Sequence, residues 1–197
     1  MSAAVCRAAG RSAATGTRRG PRVILLAAVG IDRASGPIGE IVAAHAFGEP
    51  ETLNRGSWSI VDGREGEPLE VAGDRLRALR CSSVPLAVEW LPRADEPAHN
   101  LVLERLAAGP LGLAAVATVC GERLLRTPPT RVLEVCHLER LELLPADERP
   151  AFAGSSATLF PDARLGDDDE LAEQLAAAVR AANARFWLAE SEVVAHG

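Results

Sequence analysis

Lysine and tyrosine are absent from this 197-residue chain, methionine occurs once, and the aromatic set is only three Trp and four Phe. All 21 basic residues are therefore Arg. With Ala abundant, this reads as GC-rich coding bias, so arginine usage alone says little about phosphate or carboxylate recognition. Long hydrophobic runs are also missing. The longest, Val23 to Ile31, has nine residues with Gly30 included, against the about 20 that a bilayer requires. Cys6, Cys81, Cys120 and Cys136 form no CxxC pair, which leaves buried free thiols in a reducing cytosol as the expectation. Cys136 and His137 are neighbours in a candidate strand and point to opposite faces, so they do not share a ligand. Gly63 to Gly66 lacks the Gly-Lys-Ser/Thr ending of a phosphate loop. Trp58, Trp90 and Trp187 are not interleaved with basic residues, as a single-strand stacking platform would need. No metal and no cofactor is expected.

What is present suits one globular domain with extensions. An apolar content of 48% and a charged content of 24% argue against global disorder. The net charge of −6 divides unevenly: residues 1–31 hold five Arg and no acid, leaving sixteen Arg against twenty-seven acids in the rest. An acidic body argues against duplex nucleic acid as a partner, because that affinity rests on neutralising phosphates. Residues 1–21 read as a disordered, Arg-rich tail. Thr17-Arg18-Arg19 ahead of an apolar run is similar to a twin-arginine export signal, but Asp32 and Arg33 follow at once, and Val23 to Ile31 reads instead as the first buried strand.

Short strands with turn punctuation follow. Gly39 to Ala46, Ser57 to Asp62, Leu69 to Ala72, Arg75 to Arg80 and Val84 to Trp90 read as strands, broken at Gly63, Gly66, Gly73 and Asp74. A helical turn is expected within 47–55. Pro92 to Pro97 reads as a polar loop, and a short helix over Leu101 to Ala108 stops at Gly109-Pro110. Leu111 to Val119 is the most apolar strand candidate, and Arg131 to Leu144 returns after Thr127-Pro128-Pro129. Many short strands and few helices predict a mainly β (α+β) fold with a closed or nearly closed barrel, which removes exposed sheet edges. Gly166 and Asp167 to Glu170 then supply a break, an N-cap and acids for the dipole of an amphipathic helix of about twenty residues. Its stripe is Leu171, Leu175, Ala178, Val179, Ala182 and Phe186, expected to dock on the barrel, with Phe186, Trp187 and Leu188 favouring grip on a partner or self-association if exposed. The organisation is thus a tail at 1–21, a barrel at 22–162, and an acidic linker with a C-terminal helix at 163–197.

Two segments carry a resemblance. Val29 to Phe47 (VGIDRASGPIGEIVAAHAF) reads as strand, polar turn, strand and a His-Ala-Phe exit, and Leu133 to Phe152 (LEVCHLERLELLPADERPAF) as an apolar and acidic strand closing on Leu-Leu-Pro-Ala. In this order and about a hundred residues apart, they resemble the start and end of the tailed-phage prohead (capsid maturation) protease family, relatives of the herpesvirus assembly protease. The resemblance covers about 22–160 and implies a β-barrel that hydrolyses peptides with a serine, a histidine and an orienting acid.

Carried over position by position, that triad is incomplete. The family's histidine closes a Val-Pro-Leu strand, here Val84-Pro85-Leu86-Ala87-Val88-Glu89-Trp90, which puts Trp90 at the base position. Indole only donates. The serine follows a Gly-Leu pair, here Gly112-Leu113, which puts Ala114 at the nucleophile position. The acidic member falls on Glu139, with Glu134 and Glu142 as neighbouring frames, while a solvated strand face accounts for all three equally. His99 is expected at the surface, and Thr118 and Cys120 as packing residues. The implied protein is a phage or prophage head-assembly protein, cytoplasmic or inside the prohead, that binds capsid or scaffold protein without cleaving it. It has no nucleic-acid or membrane partner, and a homo-oligomer through the C-terminal helix is possible. Two alternatives stand beside it. One is an active serine endopeptidase drawing on His45, His99 or His137 and on Ser82, Ser83, Ser155 or Ser156. The other is an unrelated cytosolic β-barrel binding module.

Overall fold

The computed structural model describes residues 18–32, 38–64 and 66–196. Most of the expected tail therefore lies outside the described residues, although Arg19, Gly20 and Pro21 begin the first strand. In chain order the elements are β1 (Arg19–Ala27), β2 (Gly39–Val42), α1 (Pro50–Leu53), β3 (Ser59–Asp62), β4 (Pro68–Val71), β5 (Leu76–Leu79), β6 (Leu86–Trp90), α2 (Pro97–Ala108), β7 (Leu111–Arg126), β8 (Pro129–Leu143), β9 (Ser156–Arg164) and α3 (Asp168–His196). The strands form one sheet in the order β4-β3-β8-β7-β9-β1-β6-β5, with β2 parallel to the far end of β8. Its two ends, β4 and β5, are consecutive in the chain and joined by a short turn in which the Gly73 N–H donates to Leu76 O. That turn brings the edges together, and the sheet is a nearly closed barrel.

The apolar run after Arg22 is continuous because β1 is buried on both faces. Val23, Leu25 and Ala27 point into the barrel with Leu76, Val88, Trp90, Leu113, Leu141 and Leu143. Ile24 and Leu26, one residue out of phase, point outward against Leu171, Leu175, Ala178, Val179 and Ala182 of α3. These helix residues recur at three- and four-residue steps and so form one stripe. Asp167 caps the helix by accepting the Glu170 N–H at 3.1 Å. At the other end of the stripe, Phe186 packs so closely on Gly30 that a Cβ there would lie 2.7 Å from the ring, and Gly30 also holds a φ of +109°.

Beneath the first turns of α3 lies a buried chain of charges. The Arg77 Nε donates to Glu89 Oε2 at 2.5 Å. Arg22 Nε approaches the other carboxylate oxygen at 2.9 Å, as a charge contact rather than an aligned hydrogen bond. Arg22 then donates to Gln174 Oε1 at 2.7 Å and to the Arg164 carbonyl at 2.9 Å. Gln174 donates on to Glu170, whose other oxygen accepts the Arg164 N–H. Five elements, β5, β6, β1, α3 and β9, are joined by one polar chain in which Arg22 and Glu89 are 1% and 2% exposed.

Several boundaries differ from those expected. α2 starts at Pro97 rather than Leu101, since Pro fits the first helical position. β7 continues to Arg126, seven residues past Val119, because cross-strand pairing with β8 sustains it where its own apolar pattern stops. β9 was not anticipated at all. Its Phe160-Pro161-Asp162 reads as a break, yet the strand is held between β1 and β7, and it brings the sheet to within three residues of α3 where an acidic linker was expected. No helix of the described residues is long and apolar enough to cross a membrane.

Removing one partner from a buried ion pair strands the other charge, at a cost of about 3–5 kcal/mol. Glu89→Ala is therefore expected to lower the unfolding free energy by about that much in urea titrations. Glu89→Gln, of equal shape, should lose nearly as much, which would locate the effect in charge rather than volume.

Candidate functional site

The three positions implied by the prohead-protease resemblance do not meet. Trp90, at the end of β6, is 0% exposed and lies inside the barrel. Its ring makes an edge contact with His99, with centroids 5.2 Å apart, and its N–H has no partner among the described residues. Leu113 also faces inward, so strand alternation turns Ala114 to the opposite face, where it is paired with Glu142. Glu139 is the extra residue of a bulge between the Ala117·Leu138 and Val116·Arg140 pairs, and its exposed side chain accepts from the Thr118 hydroxyl at 2.6 Å. The barrel wall thus stands between Trp90 and the other two.

His99 is buried, contrary to the surface placement expected for it. Its Nδ1 accepts the Arg93 N–H at 2.9 Å, which leaves Nε2 as the donor to Leu69 O, also at 2.9 Å. Both ring nitrogens are occupied in a neutral tautomer, and the residue ties α2 to the loop before it and to β4. The proline-bounded loop made His99 look like a surface residue. Only the return of α2 over the barrel end encloses it. Thr118 and Cys120, expected as packing residues, are both exposed, on a stretch of β7 that pairs with β8 but with no described strand on its other side. Glu134 is exposed and pairs with Arg123, whereas Glu142 is buried and pairs with Arg140. Cys136 is buried in the barrel while His137 is exposed, as strand alternation requires.

The alternative nucleophiles divide in two. Ser155 and Ser156 are buried and committed: the Ser155 hydroxyl oxygen accepts the Val29 N–H at 3.2 Å, and that of Ser156 accepts from Arg185 at 2.9 Å. Burial pushes the Arg185 guanidinium down from its ordinary value. Ser82 is exposed, beside Ser83, and lines a half-open depression of about 210 Å³ between the β2–α1 connection and the β5–β6 turn. His45, Glu49, Arg80 and Cys81 line the same depression.

That depression is the best-formed candidate site. Arg80 spans its rim, reaching Glu49 and Glu51 at 3.1 Å each. A backbone N–H and then Arg80 hold the Glu51 carboxyl below its usual range. Its volume is below the about 300 Å³ of a typical small-molecule pocket, which suits one side chain of a partner better than an extended peptide. No hydrogen bond joins His45 to Ser82, and no carboxylate orients His45 among the described residues. The arrangement has the atoms of a dyad without its alignment. No cluster of His, Cys, Asp and Glu fit for a metal occurs among the described residues. The chain matches no family model, no curated protein and no solved structure.

Sequence reasoning did not find this depression, and no local signal marks it, since 44–50 and 78–87 meet only through the sheet order. Glu89 was legible in principle. It is the one charge in the otherwise apolar Leu86-Ala87-Val88-Glu89-Trp90, and such a residue needs a buried partner.

Without Lys or Tyr, the side chains that titrate between about pH 8 and 11 are the four thiols. Burial, and then the charge of Cys120, raises the Cys136 thiol above 9.0. The unfolded thiol ionises first, so the protonated folded form contributes stability that is intact below that value and lost as pH rises through the folded pKa. The unfolding free energy under reducing conditions is expected to fall by up to about 1.4 kcal/mol per pH unit above the unfolded value. Urea titrations of Cys136→Ala should lack that slope.

Proposed function

We propose that this protein is a prohead-protease-like barrel that binds capsid or scaffold protein during phage head assembly and does not cleave it. The observation that carries the non-catalytic reading is the separation of the three family positions: an indole inside the barrel, a methyl group outside, and a carboxylate on a bulge hydrogen bonded to Thr118. A serine hydroxyl needs a base within hydrogen-bond reach to attack a carbonyl, and these positions supply neither. The nearly closed barrel supports the reading, since a β-barrel is what the resemblance implies.

Binding rests on the end of α3. Its apolar stripe is consumed by the barrel, but Trp187 and Leu188 are 67% and 66% exposed, adjacent, and backed by Phe186 packed on Gly30. Exposed aromatic anchors on a rigid element are the usual carriers of binding energy. Any homo-oligomer made through this helix would use the same two residues, so capsid protein and a second copy would compete for them. The site of action in this reading is the host cytoplasm or the prohead interior.

Co-expression with the capsid and scaffold proteins encoded beside it is expected to yield a stable complex containing full-length capsid protein. Trp187→Ala with Leu188→Ala should weaken it by tenfold or more, on the scale of a lost anchor of about 2 kcal/mol. Processed capsid protein, or no complex, would overturn the reading. The presence of His45 and Ser82 in one depression favours active peptidase as the second reading. Labelling of Ser82 by a fluorophosphonate probe, lost in His45→Ala, would establish it, and silence from folded protein would remove it.

A further inference from the structure

The outer edge of β7 is open over most of its length. Of its sixteen residues, only Leu111 and Gly112 pair with β9, and from Leu113 to Arg126 no described strand lies on that side. Beyond the bulges near Val119 and Gly121, the segment 122–126 pairs regularly with β8 and is exposed at every residue. A regular edge of unpaired N–H and C=O groups is a template for another strand unless it is covered, interrupted by proline or bulges, or blunted by charge. At 122–126 no covering element and no proline stands among the described residues, and the charges there, Glu122, Arg123 and Arg126, are of both signs.

The side chains there select the occupant. Glu122, Leu124 and Arg126 alternate onto one face. A two-fold axis through Leu124 in an antiparallel pairing sets Leu124 against itself, Arg123 against Leu125, and Glu122 against Arg126 twice. Leu124 is 60% exposed, so the central pair would cover apolar surface that the isolated chain leaves wet. Arg126 makes no ion pair among the described residues, whereas Arg123 pairs with Glu134 and Arg131 pairs with Glu122 on the β8 side. Glu122, although held by Arg131 in its own chain, would face the unpaired Arg126 of the reversed copy, so the segment is complementary to that copy in charge.

We propose that the free edge of β7 at 122–126 pairs antiparallel with the same edge of a second copy, joining two barrels through a continuous sheet across a two-fold axis. This interface is separate from Trp187 and Leu188 and holds whether or not capsid protein binds there. Opposite charges across strands favour the pairing, and like charges placed directly opposite oppose it.

Sedimentation of the full chain is expected to show a concentration-dependent mass reaching twice 20.7 kDa, with a Kd on the order of 10 µM for an interface under about 1,000 Å². Arg126→Glu sets Glu against Glu twice and should weaken the dimer about tenfold or more, while Glu122→Arg with Arg126→Glu restores opposite charges and should return it to within about threefold of wild type. Amides of 123–125 should gain hydrogen-exchange protection as concentration rises. Unchanged circular dichroism confirms that each variant is folded. A wild type that stays monomeric at every concentration would overturn the proposal. A dimer indifferent to Arg126→Glu, or one not rescued by the double reversal, would do so equally.

Discussion

The buried carboxylate of Glu89, shared between Arg22 and Arg77, is the constraint on which the arrangement of the molecule depends. Burying three charges in an otherwise apolar layer costs several kcal/mol each in desolvation, offset only while the geometry is complete. Well-packed apolar side chains of the same volume often hold such elements together as firmly, so net stability is not what the network adds. What it supplies is position. Gln174 meets Arg22 only when α3 sits at one place along the sheet, and Glu170 meets the Arg164 backbone only when β9 has reached its end. The apolar stripe alone would tolerate sliding by a turn.

Fixing α3 in this way has consequences at both ends of the helix. At its start, Asp167 and Glu170 are engaged by the cap and by β9. At its end, Phe186 is drawn onto Gly30 and the following Trp187 and Leu188 are left facing outward. The exposed pair is a by-product of register: the same stripe placed differently would bury other residues.

The barrel wall governs the chemistry in a comparable manner. Strand alternation sends Trp90 and Leu113 inward and Ala114 outward, and the bulge at Glu139 adds a residue that faces solvent. The His99 imidazole is spent on two backbone groups. A histidine, a serine and a thiol line the depression between β2–α1 and β5–β6, under an arginine–glutamate rim. Among the described residues no hydrogen bond joins His45 to Ser82, so the base and hydroxyl types share a depression without the alignment that would activate the hydroxyl.

Period and punctuation in the chain were enough to specify the mainly β class, most strands, the helix stripe from Leu171 to Phe186, and the opposed faces of Cys136 and His137, because these depend on neighbours within a few residues. The double burial of β1 could be inferred from its unbroken apolar run. Tertiary structure alone decided the rest. β9 exists because β1 and β7 flank it, not because Phe160-Pro161-Asp162 favours a strand. His99 is buried because α2 folds back over the barrel, and 44–50 meets 78–87 because the sheet order brings them together. Local pattern encodes which face a side chain takes, whereas what lies opposite that face is set by contacts between residues far apart in the chain.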